Sequence, residues 1–181
     1  MKKALIIVDM QKAYFANEEL ELRRTQLTKV CNQLIADAHR HEAPVILLRT
    51  EHTRTRETWT LNMIDDDQGY LFAGDEDAKF VDGLETSGCT EVIKTRDSGF
   101  WQTDLLRLLK RESIEGVVIC GVSTHTCVAQ TAIDAYSANL RVELAVDAIA
   151  THNPYYHEDT LAMLEDEYRM KRITNDEVNW H

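Results

Sequence analysis

Proline is almost absent from this chain, with two in 181 residues, and glycine is sparse at seven. That scarcity excludes a collagen-like or Pro/Gly-rich disordered chain. Basic residues are the minority charge: 20 Lys and Arg stand against 31 Asp and Glu, a formal net charge of −11. Without a basic face there is nothing to hold a phosphate backbone, so nucleic acid is not an expected partner. No apolar run approaches the ~18 residues of a membrane span, so a membrane partner is not expected either. The first ten residues begin with Lys2 and Lys3 and turn apolar, as a secretion signal does. Asp9 interrupts that run and no small-residue cleavage site follows, so a strand is expected there instead. The four cysteines, Cys31, Cys89, Cys120 and Cys127, form no Cys-x-x-Cys pair and no disulfide-dense cluster. Reduced thiols and a cytoplasmic location are the expectation.

What is present is an ordinary globular composition, 44% hydrophobic and 28% charged. A chain of this length fits one domain, residues 1–181, with a sizeable core. Ala4–Val8, Val45–Leu48, Thr90–Lys94, Gly116–Cys120, Arg141–Val146 and Met170–Ile173 read as six strands. The first, second and fourth are continuously apolar, the pattern of strands buried on both faces. Between the first two, Leu27, Val30, Cys31, Leu34, Ile35 and Ala38 recur at helical spacing over about 24–40. Further helices are expected over Thr103–Lys110, with Leu105, Leu106, Leu108 and Leu109 inward, and after Cys127, burying Val128, Ala132, Ala135 and Tyr136. Asn153–Pro154 signals the start of another, running to about Tyr168. The alternation predicts an α/β fold: three layers, with helices on both faces of a doubly wound, six-stranded, mostly parallel sheet. Residues 50–88 are the least regular stretch, with a short helix expected over 76–84. So long an excursion is usually functional.

In such a sheet, ligands bind beyond the carboxyl ends of the strands. Asp9 follows the first strand, Lys94 ends the third and Cys127 lies just past the fourth. Cys127 falls at a strand–turn–helix junction, where unpaired backbone N–H groups and the helix end favour a thiolate. The same place also suits a small apolar residue packed under the helix. A thiol, an ammonium and a carboxylate sharing one pocket are the equipment for acyl transfer from an amide through a thioester. Taken singly, Asp9 also reads as a turn cap and Lys94 as a solvated loop lysine.

Three separated stretches carry a family resemblance: IleIleValAspMetGln around Asp9, ValIleLysThrArgAspSerGlyPhe around Lys94, and CysGlyValSerThrHisThrCysVal around Cys127. They resemble the isochorismatase-like cysteine hydrolases, in the right order over nearly the whole chain. The resemblance implies a triad with Cys127 as nucleophile, Asp9 as general base and acid, and Lys94 as charge partner. It also implies a non-proline cis peptide between Val122 and Ser123, and an oxyanion hole built from the N–H groups of Ser123 and Cys127. It implies no cofactor, a small-molecule substrate, and a homo-oligomer, a dimer or a tetramer. Nicotinamidases of this family carry an Asp-x-His metal motif after the second strand. Here the stretch is LeuLeuArgThrGluHisThrArg, so no metal site is assigned. The isochorismatases proper lack the cysteine. What remains is cleavage of an amide, carbamoyl or ureide C–N bond. The alternatives are a metal-dependent nicotinamidase-like amidase and a non-catalytic ligand-binding member of the same fold.

Phe15, Trp59 and Trp101 lie on loops expected above the carboxyl edge, as pocket walls or as core packing. His52 is a candidate substrate contact or a loop cap. His125 is expected at the pocket rim or in solvent, since nothing supplies zinc-spaced ligands beside it. His39 and His41, at a helix end, are expected to face solvent. Arg49 and Arg96 could bind a substrate carboxylate or pair with acidic residues. Asp65–Asp67 reads as a solvated acidic turn, and Cys31 and Cys120 as structural.

Overall fold

The computed structural model describes residues 1–181. In chain order the elements are β1 (Lys3–Val8), α1 (Glu18–Glu21), α2 (Arg24–Arg40), β2 (Val45–Thr50), α3 (Leu61–Asp65) and β3 (Thr90–Lys94). Then come α4 (Leu105–Arg111), β4 (Gly116–Val122), α5 (Ala129–Ser137), β5 (Arg141–Ala150), α6 (His157–Tyr168) and β6 (Lys171–Ile173). The six strands form one sheet in the order β3-β2-β1-β4-β5-β6. Every neighbouring pair is parallel. Helices flank the sheet, giving the expected three-layer α/β architecture. No helix is long and apolar enough to cross a membrane.

The apolar runs dictate where the core lies. All residues of β1 and β4 are buried, because both strands are central and covered on both faces. α2 turns Leu27, Val30, Cys31, Leu34, Ile35 and Ala38 inward, the stripe its spacing predicts. Cys120, in the buried β4, also lies in the core.

The chain runs outward from β1 to β3 and then restarts at β4 on the other side of β1. The strand order therefore reverses between β1 and β4, and the cleft opens at their carboxyl ends. The two strand ends approach closely. Val8 is opposite Gly121, where φ is +111° and a Cβ would stand 2.1 Å from the Val8 carbonyl oxygen. Only glycine serves at that point.

Several local expectations give way to tertiary context. Residues 76–84 form no helix. Ala78, Val81 and Leu84 are buried at a spacing that imitates a helical stripe. The segment instead runs alongside residues 10–13, with Lys12 N–H bonded to Lys79 O, Ala13 N–H to Asp77 O and Val81 N–H to Met10 O. Tyr136 is 48% exposed rather than buried and meets the Tyr168 ring edge-on. Leu106 and Leu108 are only partly buried, leaving Leu105 and Leu109 as the anchors of α4. β5 extends to Ala150, past the expected Val146, through a register irregularity between Ile119 and Gly121. Asn153 accepts from the Tyr155 N–H, but that cap opens a single 3-10 turn over Pro154–Tyr156, and α6 begins at His157.

Candidate active site

Four strand ends and one turn assemble the site. Asp9 takes φ +51°, a left-handed conformation that Asp tolerates better than most residues. Its N–H bonds to Leu48 O at 3.0 Å and its carbonyl accepts from Gln11 N–H at 2.7 Å. This tight turn leaves the carboxylate fully buried. Lys94, the last residue of β3, is 1% exposed. Its Nζ lies 2.8 Å from Asp9 Oδ2, 2.8 Å from Thr50 Oγ1, 3.0 Å from the Arg96 carbonyl and 3.3 Å from Cys127 Sγ. Three ammonium protons thus serve four acceptors, which fixes the head group. Thr50, the last residue of β2, donates to Asp9 Oδ1 at 3.1 Å while accepting from Lys94. Asp9 Oδ2 has no hydrogen-bond donor besides this ion pair.

Cys127 is 6% exposed. It lies not in the first turn of α5 but in a π-helical turn, Thr124–Val128, that precedes it. In this turn the Ser123 carbonyl accepts from both Thr126 and Val128 N–H groups, at 3.2 Å each. A widened turn of this kind recurs at functional sites. The Val122–Ser123 peptide is cis. Ser123 is 2% exposed, with Oγ 3.0 Å from His152 Nδ1.

The electrostatics are those of a charged assembly in a dry place. Burial works against the Lys94 ammonium, but the Asp9 carboxylate and the Cys127 sulfur outweigh it and hold the lysine pKa above its usual value. The Cys127 thiol is pushed well up, first by burial and then by the Asp9 charge, with Lys94 pulling the other way. Burial also raises the phenols of Tyr14 and Tyr70, and the nearby Asp9 and Cys127 charges add to it. Both remain proton donors.

Beside the sulfur a cavity of about 880 Å³ opens toward solvent. Tyr70, Arg96, Asp97 and Trp101 are among its lining residues, with Thr126 next to Cys127 in the chain; Asp9, Lys94 and Cys127 themselves are not in the lining. Of the aromatic candidates, Trp101 is in this wall and 54% exposed. Phe15 is not a pocket wall: it is 4% exposed and belongs to the hydrophobic core. Trp59 is buried against Phe72 with Nε1 bonded to the Thr53 carbonyl, a strut of its own loop. His52 is 1% exposed, and its Nδ1 is bonded to Thr58 O at 2.9 Å. Burial lowers its pKa, so the ring stays neutral with the proton on Nδ1. His125 is outside the cavity lining. Its Nδ1 is 2.9 Å from Thr151 Oγ1, and its ring lies against His152 and Tyr156. His39 and His41 are exposed. Neither arginine is free: Arg49 pairs with Glu51 and Glu91, and Arg96 donates to the carbonyls of Thr58, Trp59 and Thr95.

Sequence reasoning passed over Thr50, Gln11 and Asp97. Thr50 stands at a strand's carboxyl end, the rule that singled out Asp9 and Lys94. Gln11 clips two loops to β2: Nε2 donates to Thr50 O and Ala78 O, and Oε1 accepts from Thr50 N–H. No local pattern announces that role. Asp97 Oδ1 is 3.7 Å from Cys127 Sγ.

The doubly wound sheet sets a buried thiol, ammonium and carboxylate at its switch point, the place where such sheets bind ligands. Residues 3–175 match the isochorismatase domain, and the chain belongs to that family of hydrolases. A probable inactive nicotinamidase of Arabidopsis thaliana is 28% identical over 163 residues, 85% of this chain and 83% of that one. Among solved structures, N-carbamoylsarcosine amidase from Thermoplasma acidophilum superposes with a TM-score of 0.84 at 24% identity, covering 99% of both chains. The zinc complex of the Pyrococcus horikoshii pyrazinamidase gives a TM-score of 0.83 at 24% identity, over 96% of this chain and 99% of that one. At such identities these structures establish the shared fold.

The zinc relative raises the question of a metal here. Glu51 and His52 occupy the stretch after β2, but Glu51 is held 2.6 Å from Arg49, and His52 offers only Nε2. No group of three His, Cys, Asp or Glu side chains is placed to hold an ion. The residues after β2 do not fit a metal site.

Proposed function

We propose that the protein is a cysteine hydrolase that cleaves a C–N bond of a small amide, carbamoyl compound or ureide. The observation that carries this is Lys94 Nζ, 2.8 Å from Asp9 Oδ2 and 3.3 Å from Cys127 Sγ, with all three side chains buried. Asp9 and the sulfur share the Lys94 ammonium, which places the carboxylate as the base that takes the thiol proton. The sulfur adds to the substrate carbonyl, forming the S–C bond. The oxygen that gains charge is received by the N–H groups of Ser123 and Cys127. Asp9 then delivers the proton to the leaving nitrogen as the C–N bond breaks. Water, deprotonated by Asp9, hydrolyses the thioester and returns the thiol. Lys94, its own pKa held above the usual value by Asp9 and the sulfur, balances charge throughout.

Burial raises the resting thiol, so the reactive thiolate depends on its neighbours rather than on exposure. Iodoacetamide followed by peptide mass analysis is expected to modify Cys127 ahead of Cys89, the more exposed thiol. Burial and nearby acids lift Cys89 to about 11. Cys31 and Cys120, in the core, are expected to react last. Faster labelling of Cys89 than of Cys127 would argue against an activated nucleophile.

A further inference from the structure

The wall of the cavity carries an unbalanced charge. Asp66, Asp97 and Asp134 all line it, and none of them takes part in an ion pair. Arg96 is the cation in the same wall, but its guanidinium is spent on carbonyls: Thr58 O at 2.7 Å, Thr95 O at 2.6 Å and Trp59 O at 3.2 Å. It serves as a strut for the 58–59 turn and pairs with none of the carboxylates, so three acids face one guanidinium in the wall. Exposed Trp101 and Tyr70 add two aromatic faces to the wall, surfaces that attract cations.

One of these acids touches the reacting atom. The Cys127 sulfur donates to Asp97 Oδ1 at 3.7 Å. A carboxylate there disfavours the thiolate that acyl transfer requires, and it does so on the substrate side of the sulfur. Such an arrangement is counterproductive for a neutral or anionic substrate. It becomes productive when the substrate itself supplies the missing positive charge.

We propose that Asp97 is the specificity-determining residue of this site and that the substrate carries an ammonium or guanidinium group a few atoms from its scissile C–N bond. This rests on the hydrolase reading above. The substrate cation pairs with Asp97, orients the carbonyl over Cys127, and offsets the repulsion that Asp97 adds to burial and the Asp9 charge. Recognition and activation of the nucleophile are then one event. Lys94 and Asp9 remain the proton and charge machinery, while Asp97 decides which molecules engage it.

Three ureas with the same ureido group and different charge test this: 3-aminopropylurea (cationic), propylurea (neutral) and 3-ureidopropanoate (anionic). Ammonia release and protection of Cys127 from iodoacetamide are measured for the wild type and for Asp97→Asn. The wild type is expected to favour 3-aminopropylurea over propylurea at least tenfold in kcat/KM and in protection, and to disfavour 3-ureidopropanoate further. In Asp97→Asn the charge ranking collapses. The free variant's Cys127 is alkylated about tenfold faster at neutral pH, the effect of lowering a thiol pKa by one unit. A purely structural role for Asp97 would weaken all three ureas alike and leave their ranking intact, which overturns the proposal. So does a wild-type preference for the neutral or anionic urea, and in that case the hydrolysis itself still upholds the hydrolase reading. If no urea is hydrolysed but 3-aminopropylurea alone protects Cys127, and only when Asp97 is present, cation recognition by Asp97 stands, and the claim about a scissile bond falls with the hydrolase reading. Absence of both hydrolysis and protection overturns the inference.

Discussion

Cys127→Ala is expected to lower the hydrolysis of small amides, carbamoyl compounds and ureas on the order of 10⁴-fold or more, because no other group can form the thioester. The fold should survive. The sulfur is small, and its removal leaves the Lys94 ammonium with Asp9, Thr50 and the Arg96 carbonyl as partners. No buried charge is orphaned, so the stability cost is expected to be about 1 kcal/mol. Activity assays beside chemical unfolding separate the two effects. Retained hydrolysis in a folded Cys127→Ala protein would remove the sulfur from the mechanism.

The Lys94→Met variant is expected to lose both activity and stability. Asp9 and Lys94 are each fully shielded from solvent as side chains. Removing the ammonium strands a carboxylate whose remaining partner is the Thr50 hydroxyl. Breaking a buried pair in this way costs roughly 3–5 kcal/mol. Changing Asp9 to Asn in the same protein removes the stranded charge and should restore much of the stability but none of the activity. Urea unfolding of the wild type, the single variant and the double variant tests this. A double variant no more stable than Lys94→Met would mean that Asp9 is not the group stranded.

How far the sequence reveals all this depends on whether the information is local. β1, β2 and β4 are legible because a strand covered on both faces must be apolar throughout, and the chain writes that as unbroken runs. Asp9, Lys94 and Cys127 are legible because each stands at or just past the carboxyl end of a strand, where polar residues have no packing reason to be. The segment 76–84 is not legible. Its three apolar residues bury against the 10–13 loop, and their spacing cannot distinguish that from a helix. Tyr136 lies at the surface and not in the core, and Phe15 takes the core place of the two open to it, because an aromatic ring fits a core, a wall or a surface equally well. Asp97 lies between Arg96 and Ser98 in a loop with no periodicity, and only the fold brings it to the sulfur.

The role proposed for Cys127, an acyl-accepting nucleophile beside the Asp9–Lys94 pair, is open to a direct test by brief exposure to p-nitrophenyl acetate, quenching in acid and peptide mass analysis. One acetyl group is expected on the peptide containing Cys127, lost again on standing as water completes the cycle, and absent from Cys127→Ala. Acetylation confined to lysines or to Cys89, with Cys127 unmodified, would contradict it.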